Sequence, residues 1–582
     1  MAERVKHRSF GAGTVKQIPV YMTKYYIDRD TDLLVQRVWR YEEIYDTQEY
    51  VAYAGKETYA FPYEVHVRIP DRSGEGGDTM KRMITGLLAA VLTAVSVPVQ
   101  AEEQPFAETA EVFQYVLDNH LNKPTAKQLV QGALSHVSEE AGRQAHLTLK
   151  PSADDDTLPE MEQRLAEWQR AARLDETALN RWAIDGMLAT LDDPHTMFFT
   201  RDDLQMFEAG VENQFVGFGF RLRMQDGLLV IRDIVPQSPA AASELRKGDQ
   251  LLAVDGKSLK GKSFEEAFAM LRGEESSEAV LTIYRPSEKR EKQVRLKRAA
   301  VTMPEVEGDL FEGGAIGYVS LATFGSEAAV QLRDKLDQLS RIRPLKGLIL
   351  DLRDNSGGYL STARDVASLF MEEGLLMYTT NRNGVEVETW VRNGRDVGYP
   401  VRILVNEGTA SASELVAGAL RDHGIAVLVG TKTYGKGSAQ QIIPLSNGDA
   451  LKLTLHEYFT PKHTVVNHVG LEPDLAVEDY AAQVVEALRS LDVQAYRLTE
   501  ENGDTVINGI AFPTVDPLFK RENGQWLVRA AVLSRLLGDS AVGEQDYVPI
   551  APFLQRYKTL VLQQNNDQPV LVYTAAKPAA SR

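Results

Sequence analysis

Apolar residues recur every three to four positions over residues 106–121, 125–138 and 158–191, which predicts helices. The last of these stretches runs to Leu191 and stops before Asp192-Asp193-Pro194, because a proline ring cannot continue a helix. Residues 152–157 form an acidic loop between helices. The pattern then changes: residues 218–222, 228–234, 250–254 and 280–284 read as short strands. One helix is expected at 263–271, with Phe264, Ala267, Phe268 and Leu271 on a single face. After residue 301, strand and helix alternate: strand 314–321, helix 326–339, strand 346–352, helix 361–370, strand 401–405, a helix from Ser411 and strand 426–429. Residues 346–352 are nearly all apolar, as in a parallel sheet buried on both faces, so this part is expected to be an α/β core. The remainder is less patterned, with strands expected at 506–510 and 524–529, a short helix at 530–537 and a frayed tail at 577–582. The expected whole is a multidomain α/β chain: a helical region at 102–212, a β-rich domain at 213–300, an α/β core at 301–479 and a small α+β domain at 480–582.

An apolar run with export character precedes the helical region. Lys81 and Arg82 lead into the uncharged residues 83–99, and Val99-Gln100-Ala101 is a small-residue cleavage site, so residues 80–101 read as a secretory signal peptide or a retained anchor. Residues 1–79 carry nine of the 22 tyrosines, and Gly74-Glu75-Gly76-Gly77 has the coding character of a ribosome-binding site. The expectation is that Met80 is the true start and 1–79 an extension; the alternative is a small cytosolic domain on a signal anchor, with 5–18 as its opening strands.

Composition narrows the chemistry. The net charge of −18 argues against a nucleic-acid partner. The absence of cysteine removes disulfides, thiolate metal sites and a cysteine nucleophile.

The candidate chemistry lies at 406–441. Ser411 opens a predicted helix, and Ser411-Ala412-Ser413-Glu414 fits a capping box, so a plain N-cap accounts for it. A helix N-terminus also supplies positive potential and free N–H groups, which suit a nucleophile. Lys436, between Gly435 and Gly437, is by itself a turn lysine; as a general base it would have to be desolvated. Residues 430–438 nearly match a phosphate-binding loop but carry Gly437 where the magnesium-ligating hydroxyl belongs, and the next residues do not read as a helix. His456, His463 and His468 lie nearby, but no G-x-S-x-G elbow exists for a serine–histidine triad.

Gly217-Phe218-Gly219-Phe220 resembles the carboxylate-binding loop of PDZ domains, and residues 236–240 and 248–256 extend that likeness. The segments at 409–420, 433–441, 351–358, 451–461, 186–196 and 469–474 resemble the C-terminal processing, or tail-specific, serine protease family over about residues 105–480. The resemblance implies Ser411 as nucleophile, Lys436 as general base and Gln440 as the residue that orients the lysine. It implies an oxyanion hole from the backbone N–H of Ala412 and of Gly357 or Gly358, and a PDZ loop at Gly217, Phe218, Gly219 and Phe220 that binds substrate tails. No metal and no cofactor are implied. Protein substrates, a regulatory or adaptor protein, a membrane anchor, a homo-oligomer and an extracytoplasmic location at the bacterial cell envelope are the expected context. Ser356 stands where the family has proline, and Lys462-His463 replaces its serine-glycine. Residues 504–538 resemble the stalk domain found beside copper amine oxidases, which would make 480–582 a spacer or binding module. The competing reading is a catalytically silent PDZ scaffold or sensor.

Overall fold

The computed structural model describes residues 20–27, 34–39, 65–67 and 105–575, apart from 226, 502, 515, 539–541, 543–544 and 566–567. The expected export segment at 80–101, the strands at 5–18 and the tail at 577–582 lie outside the described residues. In the first part of the chain, Val20–Ile27 pairs antiparallel with Leu34–Trp39 on one side and Val65–Val67 on the other.

The second unit begins at Glu103. Helices Ala107–Asn119, Ala126–Ala145, Leu158–Ala172 and Glu176–Ala189 surround a core that includes Phe113, Leu134, Leu165 and Ile184. The helical pattern read through 158–191 is two helices. Arg173 takes a left-handed conformation (φ 54°), and Asp175 restarts the chain by accepting from the Ala178 N–H. Leu174 still packs on the core across this break, so the apolar period runs on through it. Leu451 and Leu453 of the later strand Ala450–Phe459 share this core, which fastens the helical region to the rest of the unit.

Residues 220–297 form an antiparallel sheet in the order Arg290–Lys297, Glu278–Arg285, Gln250–Val254, Leu228–Ile234, Phe220–Gln225, with the helix Phe264–Leu271 beside it. The strand expected at 218–222 begins only at Phe220. Phe218 and Gly219 form a break after Gln214–Gly217, where Gly219 has φ 80°. Gln214–Gly217 pairs with Ala299–Thr302, so the chain enters and leaves this domain through neighbouring strands.

The α/β core is a six-stranded sheet in the order Val306–Leu310, Ile316–Leu321, Gly347–Asp351, Val401–Val405, Ala426–Gly430, Leu475–Ala476, parallel after its first pair. Side chains alternate across it. Leu348, Leu350 and Ile403 face the helices Ala328–Ile342, Leu360–Ala367 and Ala412–Asp422. Ile349, Leu404 and Val429 face the helix Tyr480–Ser490. A second sheet, Glu386–Val391, Gly374–Asn381, Ala450–Phe459, Ser438–Pro444, carries Met197–Phe199 on the flank of Ala450–Phe459.

The segment 480–582, expected as a stalk-like domain, contributes that helix together with a five-stranded and a three-stranded sheet. Its Leu498, Ile507, Phe512 and Leu533 belong to the same hydrophobic cluster as Ile349 and Leu404 of the central sheet.

Candidate active site

Strand Val401–Val405 ends in a turn that aims the next helix. Asn406 Oδ1 accepts from the N–H groups of Asp354 (2.9 Å) and Gly408 (3.1 Å), and the Thr409 hydroxyl donates to the Leu352 carbonyl at 2.8 Å. Ser411 is then the first cap of Ala412–Asp422, with φ 57° and ψ −119°. A serine in that region is strained, and the conformation persists only where its surroundings fix it. They do: the Ser411 N–H donates to Glu414 Oε2 at 2.9 Å, and its carbonyl accepts from the Leu415 N–H and the Tyr458 hydroxyl, each at 2.9 Å.

Glu414 is the glutamate expected as the far member of the capping box, and it does more than cap. Its fully buried carboxylate also accepts from the N–H groups of Lys436 and Gly435, both at 2.8 Å, and from the Thr433 hydroxyl. The loop 431–437 therefore wraps around a carboxylate held at the start of the Ser411 helix. The Tyr458 hydroxyl adds a second tie, lying 2.6 Å from the Lys436 carbonyl. At Gly437 the backbone passes so close to Asn467 that a Cβ would stand 2.3 Å from its N–H nitrogen, so only glycine fits there. The loop leads into the strand Ser438–Pro444 and not into a helix, which removes the phosphate-loop geometry considered for 430–438.

Ser411 and Lys436 line one cavity of about 690 Å³, together with Gly357, Gly358, Ser438, Gln440, His195, Phe207 and Lys452. Burial pushes the Lys436 amine below the ordinary lysine range, against the pull of Asp193 and Glu414. Gly357 has φ 103°, and a Cβ there would stand 2.8 Å from Ser411 Cβ and 3.0 Å from the Ala412 nitrogen. The Gly357 N–H already donates to Asn355 Oδ1 at 2.9 Å. Gln440 lines the cavity, but its carboxamide nitrogen donates to the hydroxyls of Ser438 (2.9 Å) and Thr454 (3.2 Å).

Two titratable groups on the cavity wall, His195 and Lys452, lay outside the sequence reading of the site, as did Asp193 behind them. His195 and Asp193 come from the loop after Glu176–Ala189, and Asp193 is held by three hydrogen bonds: His120 Nε2, the Thr196 hydroxyl and the His195 N–H bond it at 3.0, 2.7 and 2.9 Å. Lys452 comes from the strand Ala450–Phe459. The signal for His195 and Asp193 was Asp193-Pro194-His195 directly after a helix end, a segment that the family likeness included without a role. His456, His463 and His468 do not line the cavity; His463 stacks on Tyr378 with ring centres 4.0 Å apart. Among the described residues, no group of three or more potential ligands is placed to hold a metal ion.

Gly217, Phe218, Gly219 and Phe220 line a second cavity of about 800 Å³, with Leu222, Phe268, Leu271 and Met206. Phe218 itself is buried, packed 4.8 Å from the Arg298 guanidinium. Met206, on the helix Arg201–Val211, lines both cavities.

The profile of peptidase family S41 matches residues 315–477, and that of a PDZ domain matches residues 230–285. The carboxy-terminal processing protease CtpB of Bacillus subtilis is 29% identical over 358 residues, covering 60% of this chain and 73% of that protein. The carboxyl-terminal-processing protease of Synechocystis sp. is 35% identical over 318 residues, covering 54% of this chain and 74% of that protein. Among solved structures, the photosystem II D1 C-terminal processing protease is 26% identical, with a TM-score of 0.41, over 68% of this chain and 98% of that one. The chain thus belongs to the carboxyl-terminal-processing proteases of peptidase family S41, and it is a serine peptidase that carries a PDZ domain.

Proposed function

We propose that Ser411 is the nucleophile and Lys436 its general base, acting on protein substrates held by their C-terminal tails. The observation that carries this reading is the single clamp on both residues: Glu414 Oε2 accepts the N–H of each, and the lysine amine sits in a desolvated cavity beside the serine. A neutral Lys436 takes the proton of Ser411 Oγ as the oxygen attacks the scissile carbonyl carbon. The resulting oxyanion takes hydrogen bonds from the N–H groups of Ala412 and Gly358, since the Gly357 N–H is committed to Asn355. Lys436 then protonates the leaving amine, the C–N bond breaks and an acyl-serine remains. Water attacks this ester, giving its proton to Lys436, and Ser411 recovers its own. Gln440 keeps its carboxamide nitrogen on Ser438 and Thr454, which leaves its carbonyl oxygen to accept from the protonated lysine.

In this reading the domain at 213–300 takes the apolar tail of the substrate in the groove of Gly217, Phe218, Gly219 and Phe220, where Phe268 and Leu271 supply apolar contact. The helical region at 102–212 and the core at 301–479 frame the cavity, and 480–582 backs the sheet. Residues 80–101 direct the protein out of the cytoplasm, and Met80 is the start. A homo-oligomer and a regulatory adaptor belong to the same proposal. Among the described residues no helix is long and apolar enough to cross a membrane.

The test compares wild type with Ser411→Ala and Lys436→Ala on a tagged protein ending in an apolar tail. Loss of turnover in both variants with tail binding retained is expected; equal turnover in all three removes the dyad, and no turnover in any of them is what the scaffold reading requires. Fractionation and N-terminal sequencing of the native protein test export, and residues found upstream of Met80 would overturn the start assignment.

A further inference from the structure

The cavity that holds Ser411 contains a second lysine. Lys452 lies on Ala450–Phe459, opposite Met197 on one side and Ile442 on the other, and its side chain enters the same space as Lys436. Its Nζ stands 4.7 Å from the centre of the Phe207 ring. The ring face favours an ammonium at Lys452.

The groups packed around Lys436 come from four directions. Asp193 and His195 approach from the loop after Glu176–Ala189, Glu414 from the Ser411 helix, Lys452 and the Tyr458 hydroxyl from the strand, and His468 from the segment whose N–H bonds the Gly435 carbonyl at 2.7 Å. Both carboxylates are committed elsewhere. Asp193 is bonded by His120, Thr196 and His195, and Glu414 by Ser411, Thr433, Gly435 and Lys436 through its N–H. Neither amine has a dedicated carboxylate in hydrogen-bond contact, and each is a like charge to the other in one cavity.

We propose that Lys452 is a positioning residue that acts through Lys436, as a second cation in the cavity whose charge favours the neutral amine that a general base requires. This rests on Ser411 and Lys436 being the reacting pair. Burial and the Lys436 charge bring Lys452 itself down to about 8, as expected of two coupled amines. His195 is held low by burial and then by Lys436, with Lys452 adding to the effect.

The experiment measures the rate at which a fluorophosphonate labels the full-length enzyme as a function of pH. In that reaction Ser411 Oγ bonds to phosphorus, fluoride leaves and Lys436 takes the serine proton, with no contribution from tail binding. In wild type the rate should rise through one midpoint. Lys452→Met, and Lys452→Gln as a second neutral variant, should move that midpoint upward by about one pH unit, while Lys452→Arg keeps it at or below the wild-type value. A lower rate at every pH with an unmoved midpoint in the neutral variants, or an upward shift in Lys452→Arg as well, overturns the inference. Ser411→Ala should not label. Labelling of Ser411→Ala at the wild-type rate would overturn the dyad itself, an outcome distinct from an unmoved midpoint with Ser411→Ala silent.

Discussion

The backbone N–H groups of Ser411 and Lys436 donate to the same oxygen, Glu414 Oε2, at 2.9 and 2.8 Å. Geometry between the two residues is thus fixed through the main chain, before either side chain reacts. Glutamine at 414 has only one accepting oxygen for four donors and would turn an NH₂ toward some of them. Glu414→Gln should therefore lower kcat by about 100-fold with a smaller change in KM, and should destabilise the fold by about 2–4 kcal/mol. Steady-state kinetics and urea unfolding measure both; an unchanged kcat would show that the clamp does not set the chemistry.

The pH profile is set by the direction of the Lys436 shift. Burial lowers its affinity for a proton, and if the neutral amine is the active form, as proposed, activity rises as pH rises through the depressed value. The rising limb of kcat/KM should lie below the value of about 10.4 for a free lysine. Lys436→Arg, protonated throughout, should be inactive at every pH. A limb at or above the free-lysine value would contradict a desolvated base.

Gly357→Ala tests the surface that faces Ser411. The new methyl would meet Ser411 Cβ and the Ala412 nitrogen at 2.8 and 3.0 Å, in a backbone conformation that alanine disfavours. Turnover should fall by about 100-fold or more, because the methyl would displace the Ala412 N–H proposed as an oxyanion donor. Binding of a fluorescent apolar-tailed peptide to the PDZ groove should be unaffected, and anisotropy reads this. Wild-type turnover in this variant would place the oxyanion elsewhere.

Glu305 links stability to pH at the exit from the PDZ domain. It is 3% exposed, its Oε2 has no hydrogen-bond partner, and burial, followed by the charges of Glu212 and Glu327, raises it to about 7. Its proton affinity is higher folded than unfolded. The stability it contributes is therefore fully present below the unfolded value near 4.5 and is lost as pH rises through about 7. Glu305→Gln should remove a loss on the order of 2 kcal/mol between pH 5 and pH 8, seen as a flatter dependence of Tm on pH. Parallel Tm profiles for the two proteins would refute it.

The strongest periodic segments were legible from sequence: the sheet strands around Leu348–Leu350 and Ile403, and the helix after Ser411, stand where the apolar pattern put them. Family likeness drew attention to Ser411 and Lys436, and the fold brings both into one cavity. What the pattern hid was long-range. Glu414 looked like an ordinary cap because its other donors arrive from a loop far along the chain, and nothing local marks them. Lys452 sits in an alternating strand, where a lysine reads as a solvent-facing residue. The Gly357 amide is taken by the side chain of Asn355, a bond that the periodic pattern does not mark. Helix Tyr480–Ser490 went unread because the pattern weakens on both sides of it, although Asp479 caps it by accepting from Ala482.

That last helix sets how the enzyme can be divided. The S41 match ends at 477, yet Ile349, Leu404 and Val429 of the central sheet are covered by the helix Tyr480–Ser490 and the segment beyond it. A protein engineer who cut the chain at that limit would leave a greasy sheet face open to water, directly behind the strands that carry the Ser411 and Lys436 loops. Aggregation, and not a minimal protease, is what such a truncation should yield. The smallest transferable catalytic part has to include residues that carry no chemistry at all.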